Sequence, residues 1–266
     1  MSIFLCKALV FFVRLCYNPF MMINFFETGE SALNFEFAAI TNRGKIRAEN
    51  QDTLFLRDTV VNEDDFEVFA AGDTAQTSFF AVFDGMGGEE CGKEASLLAA
   101  NTLLQLPLSA PWDTLCGAMN ERICAFMREN EIRAMGSTAA MVRLCGEEGE
   151  YCNIGDSRVY LIDTLDMYRL SKDHTTTAFA GRRALTQHLG IEPKEILIEP
   201  HFGTFPLKKG STLLLCSDGL TDLLTEPEIG KHIIMNTAAD AAKALCETAL
   251  QRGGKDNLSI ILIHLS

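Results

Sequence analysis

The 266-residue chain is short of positive charge, of paired cysteines and of long apolar runs, and each shortage removes a class of protein. Lysine and arginine number 23 against 36 acidic residues, a formal net charge of −13. Such a chain repels nucleic-acid backbones and anionic membranes, so neither is an expected partner. The nine cysteines are Cys6, Cys16, Cys91, Cys116, Cys124, Cys145, Cys152, Cys216 and Cys246. Their number is odd and no pair forms Cys-x-x-Cys, which disfavours a disulfide framework or a zinc site. They read as buried thiols of a cytoplasmic protein. No repeat, low-complexity segment or Pro/Gly-rich linker divides the chain. With 47% apolar and 22% charged residues, wholesale disorder and collagen-like repeats are excluded.

Residues 1–32 form an apolar N-terminal extension to a domain spanning 33–266. Lys7, Arg14 and Asn18-Pro19 interrupt it, and its longest unbroken apolar stretch is residues 8–13. A membrane span needs roughly 20 apolar residues. A signal peptide needs a longer apolar core and a cleavage site, and neither is clear. Three assignments fit the stretch. It is a packed helix or strand, a weak membrane anchor, or upstream sequence preceding a true start at Met21 or Met22.

From Leu33 onward, hydrophobic periodicity predicts the elements. Strands are expected over 34–40, 53–57, 78–83, 139–145, 150–154, 158–163, 167–170, 212–216 and 258–264. Residues 60–77 are polar and read as a loop or irregular hairpin. Residues 89–107 place Ala95, Leu98, Ala99, Leu103 and Leu104 at helical spacing. A second helix over 112–131 follows Pro111, with Leu115, Met119, Ile123 and Phe126 on one face. Helices are also expected over 226–235 and 237–251, stopped by Gly253-Gly254. Strand blocks separated by helix pairs fit an α+β layered domain.

Four aspartates share one pattern, standing where an apolar strand runs out. Asp84 precedes Gly85, Asp156 follows Gly155, Asp218 precedes Gly219, and Asp256 follows Gly253-Gly254-Lys255. Asp beside Gly is also an ordinary turn signal, and each one alone reads as a turn. Four together point further, because strand ends converge in space and glycine admits close backbone approach. Convergent carboxylates repel one another without a cation, and an all-oxygen cluster suits Mg²⁺ or Mn²⁺.

Eight motifs then occur in order across residues 36–265. They are Arg47-Ala48-Glu49-Asn50-Gln51-Asp52, Asp84-Gly85-Met86-Gly87-Gly88, Gly136-Ser137-Thr138-Ala139, Gly155-Asp156-Ser157-Arg158, Asp173-His174, Leu185-Thr186-Gln187-His188-Leu189-Gly190, Cys216-Ser217-Asp218-Gly219-Leu220-Thr221-Asp222 and Gly253-Gly254-Lys255-Asp256-Asn257. Each is weak alone; the ordered set is specific. The chain resembles the metal-dependent serine/threonine protein phosphatases of the PP2C (PPM) family, in their bacterial form.

The resemblance implies a four-layer α/β/β/α sandwich of two antiparallel sheets flanked by helix pairs. It implies that Asp84 bridges two Mn²⁺ or Mg²⁺ ions, with the Gly85 carbonyl and the carboxylates of Asp218 and Asp256 completing the core. Asp156, with Asp218, would hold a third ion. Asp52 would orient the attacking water, and Arg47 would grip the substrate phosphate through its planar fork. The implied partners are phosphoprotein substrates of a serine/threonine kinase, and a monomer is expected. Asn50 is expected to shape its turn.

The chain also departs from the family pattern. Gln51 stands where many members carry an acidic residue. Met86 replaces the histidine that animal relatives place after the Asp-Gly pair, so leaving-group protonation falls to water or elsewhere. His174 is expected to serve its own turn. Between His174 and Leu185 only residues 175–184 remain of the flap beside the site, which predicts a short connection and an open centre. Arg182-Arg183 read either as solvated charges or as a phosphate contact. The competing function is a pseudophosphatase, a phosphoprotein-binding module with the same fold. Retention of Asp52, Asp84, Asp218 and Asp256 argues against it, since a dead site has no physical need for gathered carboxylates.

Overall fold

The apolar run beginning at Ser78 lies in a strand that separates two cores. Phe79, Ala81 and Phe83 point to one side and Phe80 and Val82 to the other, all fully buried. A strand with period two can bury both faces only if a layer covers each. The computed structural model describes residues 32–86, 91–163, 166–177 and 183–266, and shows both layers. Residues 1–31 of the N-terminal extension, Gly87 and Gly88 of the second motif, and residues 178–182 of the shortened flap lie outside the described residues.

The elements run β1 (Asn34–Asn42), β2 (Asp52–Leu56), β3 (Thr59–Val61), β4 (Asp65–Asp73) and β5 (Ser78–Met86). Two helices follow, α1 (Gly92–Leu104) and α2 (Trp112–Glu129). Then come β6 (Gly136–Ser137), β7 (Ala139–Cys145), β8 (Glu148–Ile154), β9 (Arg158–Ile162), β10 (Met167–Arg169), β11 (Thr175–Thr177), β12 (Arg183–Leu185), β13 (His201–Pro206) and β14 (Thr212–Cys216). The chain closes with α3 (Asp218–Thr221), α4 (Glu226–Ile234), α5 (Ala238–Gln251) and β15 (Leu258–Leu265).

One antiparallel sheet has the order β10-β9-β14-β15-β1-β4, the other β13-β8-β7-β5-β2-β3 with β6 paired to the end of β5. The inner faces meet in a core that includes Phe35, Phe37, Phe80, Val142, Leu213 and Ile261. Phe80 packs edge-on against Phe35 and Phe37, with ring centroids 5.8 and 5.1 Å away. Helices α1 and α2 cover the outer face of the second sheet through Leu98, Leu103, Leu115, Met119 and Ile123. Helices α4 and α5 cover the first through Ile229, Ile233, Ala242 and Leu245. The result is the expected α/β/β/α stack.

Several local expectations are corrected. Residues 60–77 are neither a loop nor a hairpin, since β3 pairs with β2 and β4 with β1. They hold the end of β3 and the nine-residue edge strand β4, which pairs with the whole of β1. Most of β4 is exposed or half-buried, so its polar sequence hid it. The shortened flap is framed by an antiparallel pair, β11 with β12, which the sequence did not signal. Leu104 does not join the buried stripe of α1 but is 46% exposed. Cys145 is exposed and Cys91 half-buried, against the expectation of buried thiols; all seven described cysteines are free. Among the described residues no helix is long and apolar enough to cross a membrane.

Candidate metal centre

Asp52 and Asp84 are brought together by sheet register. Asp52 opens β2, directly opposite Asp84 on β5. Directly opposed residues project from the same face, with Cβ atoms roughly 5 Å apart. Asp84 was expected in a turn, yet it lies within the strand. β5 runs on to Met86 because β6 pairs with Gly85 and Met86, and the Gly85 amide donates to the Gln51 carbonyl at 3.2 Å. A Cβ on Gly85 would sit 2.0 Å from the Gly92 carbonyl oxygen, so only glycine lets the start of α1 approach here. Thr138 brackets Asp84. Its amide donates to the Asp84 carbonyl at 2.8 Å, and its hydroxyl accepts from the Asp84 amide at 3.1 Å.

The same Thr138 hydroxyl meets Ser157 Oγ at 2.7 Å and ties in the turn between β8 and β9, where Asp156 is buried. Asp218 begins α3 at the end of β14. A Cβ on Gly219 would lie 1.9 Å from the Asn257 carbonyl oxygen, so α3 is pressed against the turn that carries Asp256. Asn257 anchors that turn. Its Oδ1 accepts from the Gln51 amide, and its Nδ2 donates to the carbonyls of Arg43 and Glu49, all at 2.9 Å. The loop bearing Arg47 is thereby fixed beside Asp256, and Arg47 Nη2 donates to Asp256 Oδ2 at 2.7 Å.

The electrostatics show that these carboxylates share one region. Burial pushes Asp84 well above its ordinary value, and Asp52, Asp218, Asp156 and Asp256 push the same way. Burial raises Asp218 to about 7, helped by Asp156 and Asp256. Asp52 is fully buried and raised to about 6, although the hydroxyls of Ser259 and Ser217 oppose the shift. Its Oδ1 has no hydrogen-bond partner. Arg47 is held more firmly protonated by its bond to Asp256.

A divalent cation fits this set: the donors are hard oxygens, the carboxylates repel one another, and one buried carboxylate oxygen has no hydrogen-bond partner. Among the described residues, however, no three His, Cys, Asp or Glu side chains close into a ready ligand set. Like charges without a counter-ion have reason to stand apart.

The other singled-out residues have structural partners. Arg47 points to Asp256 rather than standing free. Asn50 shapes its turn as expected. It is fully buried, donates to Thr41 Oγ1 at 2.7 Å and to the Glu63 carbonyl at 2.9 Å, and accepts from the Asp52 amide at 3.2 Å. His174 closes its turn on Gly155, its amide donating to the Gly155 carbonyl at 2.9 Å and its Nδ1 accepting from the Gly155 amide at 3.1 Å. Burial lowers its pKa. Arg158 forks onto Asp173, with the shortest contact 2.6 Å. Arg182 and the side chain of Arg183 lie outside the described residues. Thr138, Ser157, Ser217 and Asn257 carry no sequence signal of their own for these roles, because the partners described here lie 19 to 214 residues away.

Comparison with known proteins bears on the same region. The family model described as protein phosphatase 2C matches residues 55–262. The serine/threonine protein phosphatase PstP of Mycobacterium tuberculosis is 28% identical over 249 residues, covering 86% of this chain but only 45% of PstP. The chain thus spans less than half of that relative. The protein phosphatase PhpP of Streptococcus pneumoniae is 27% identical over 257 residues, covering 87% of this chain and 98% of PhpP. Among solved structures, the catalytic domain of PstP in complex with two manganese ions superposes with a TM-score of 0.70 at 27% identity. The match covers 88% of this chain and 99% of that one.

Proposed function

Because the chain belongs to the protein phosphatase 2C family, we propose that it hydrolyses phosphoserine and phosphothreonine in proteins with the help of divalent cations. The observation that carries this reading is the gathering of Asp52, Asp84, Asp156, Asp218 and Asp256 into one mutually repelling group, faced by Arg47. Cation sites together with a guanidinium suit a phosphate monoester, because both stabilise charge on phosphoryl oxygens.

Asp84, Asp218, Asp256 and the Gly85 carbonyl would hold two Mn²⁺ or Mg²⁺ ions, and Asp156 with Asp218 a third. Bound there, the ions would supply a more acidic water and neutralise phosphoryl charge. Asp52 would orient that water. Arg47 is half-exposed and held on a loop pinned by Asn257, so its fork can leave Asp256 for two phosphate oxygens. Met86 carries no titratable proton, so the leaving alkoxide takes its proton from water. Only ten residues separate His174 from Leu185, and so short a flap would leave the centre open to a protein substrate.

The substrates are phosphoproteins made by a serine/threonine kinase, and the protein acts as a monomer; a cytoplasmic location accords with the seven free thiols among the described residues. Phosphate release from a phosphothreonine peptide, measured with MnCl₂ and with EDTA, tests the reading. Mn²⁺-dependent release is expected, and Asp84→Ala should abolish it. A wild type that binds the peptide without releasing phosphate would favour the binding-module alternative instead.

A further inference from the structure

Ser217 occupies the N-cap of α3, where a serine hydroxyl ordinarily accepts from a backbone amide of the helix's first turn. It makes no such bond. Its Oγ instead accepts from the Ser259 amide at 2.9 Å and donates to Asp52 Oδ2 at 2.9 Å. Ser217, Ser259 and Asp52 are all fully buried. Because the Ser259 amide occupies a lone pair of Oγ, the single hydroxyl proton is directed at the carboxylate. The backbone holds the same junction from the other side, since the Ser217 amide donates to the Ser259 carbonyl at 3.1 Å. Asp52 Oδ2 is therefore gripped by a donor fixed between β14 and β15, the Ser259 hydroxyl also acts on the same carboxylate, and Oδ1 has no hydrogen-bond partner. Asp52 faces Asp84 in register.

We propose that Ser217 is the positioning residue of Asp52, turned from helix capping to fix one carboxylate oxygen and leave the other for the reacting face. This inference rests on the phosphatase reading above. Ser217 is fully buried and its one hydroxyl proton goes to Asp52, so it acts through Asp52. A second hydroxyl gives an internal contrast. Thr41 Oγ1 is equally buried and contacts Ser259 Oγ at 2.8 Å, in the same polar cluster, but it reaches Asp52 only through Ser259, one hydroxyl further away than Ser217.

The test compares wild type, Ser217→Ala, Ser217→Thr and Thr41→Val, each checked by thermal melting. The readouts are kcat and KM on a phosphothreonine peptide at saturating MnCl₂, with Mn²⁺ stoichiometry by isothermal titration calorimetry. Loss of a group that orients its neighbour lowers activity by about 10- to 100-fold. Ser217→Ala should lose that much in kcat, with KM and Mn²⁺ stoichiometry unchanged, and Ser217→Thr should recover most of it. Thr41→Val should melt lower but keep a kcat near wild type. If Ser217→Ala does not fold, Ser217→Cys, a weaker donor of similar shape, takes its place with the same expected loss. An unchanged kcat in the Ser217 variant, an equal loss in Thr41→Val, or loss of Mn²⁺ binding in the Ser217 variant overturns the assignment. A wild type without turnover overturns the phosphatase reading and this inference with it, and is distinguished by appearing before any substitution.

Discussion

Asp218→Asn removes one charge from the acidic end of the sandwich and keeps the side chain's shape. In the metal-free protein, burial and then Asp156 and Asp256 raise Asp218 from 3.8 to about 7. The sign follows from proton linkage. Between pH 3.8 and about 7 the folded state holds this proton and the unfolded chain does not. Stability is therefore greatest below the unfolded value and falls as pH rises toward the folded one. The span is about 3 pH units at about 1.36 kcal/mol each, so ionised Asp218 costs the fold about 4 kcal/mol. A buried amide left without partners costs about 1–3 kcal/mol, which offsets part of the gain. Asp218→Asn should then stabilise the metal-free protein by about 2 kcal/mol near pH 8, or roughly 4–8 °C in melting temperature. Near pH 5 only about a third of the charge cost has developed, and the gain should vanish. Adding Mn²⁺ should reverse the order, because ligation stabilises wild type and the variant has lost a ligand. Differential scanning calorimetry in EDTA and in MnCl₂, at both pH values, measures all four differences. A variant that melts below wild type in EDTA near pH 8, or a difference that ignores pH, would refute the reasoning.

Gly219→Ala places a Cβ 1.9 Å from the Asn257 carbonyl oxygen. Backbone must move, so a loss of about 1–3 kcal/mol is expected in urea unfolding; an unchanged midpoint would mean that α3 and the 253–257 turn are not locked. Asp156→Ala should leave the fold and the two-ion core intact while lowering turnover and raising the Mn²⁺ requirement, because a site made of one carboxylate and one shared ligand is mostly water. A Mn²⁺ titration of activity identical to wild type would return Asp156 to a turn residue. Arg47→Ala should lower kcat/KM on a phosphopeptide by about tenfold or more, since a hydrogen bond between charged groups contributes about 1.5–3 kcal/mol. Loss of the Arg47–Asp256 pair should barely move the melting temperature, because both partners are half-exposed. A large drop in melting temperature would show that the pair is structural.

Much of this was legible in one dimension. The alternation of β5 and β15 follows from their residues, and the helix stripes from three- and four-residue spacing. The aspartates stood out because each sits beside a strand end or a glycine. Other features gave no such signal. β4 is an edge strand with an open face, so no apolar alternation marks it, and only its pairing with β1 makes it a strand. Asp84 looked like a turn residue because Gly85 follows it. It is a strand residue because β6, fifty residues on, supplies the missing partners.

Residue types, their order and their local periods by themselves determined the layer architecture, the acidic character of the site and the family resemblance. These depend on side-chain chemistry and on neighbours three or four positions away. Tertiary structure alone decided that Ser217 serves Asp52 across 165 positions, and that Asn257 pins Gln51 across 206. Serine and asparagine are common, and each can bond equally well within its own turn. Which partner such a short polar side chain takes is settled only when packing removes water and brings one acceptor within about 3 Å.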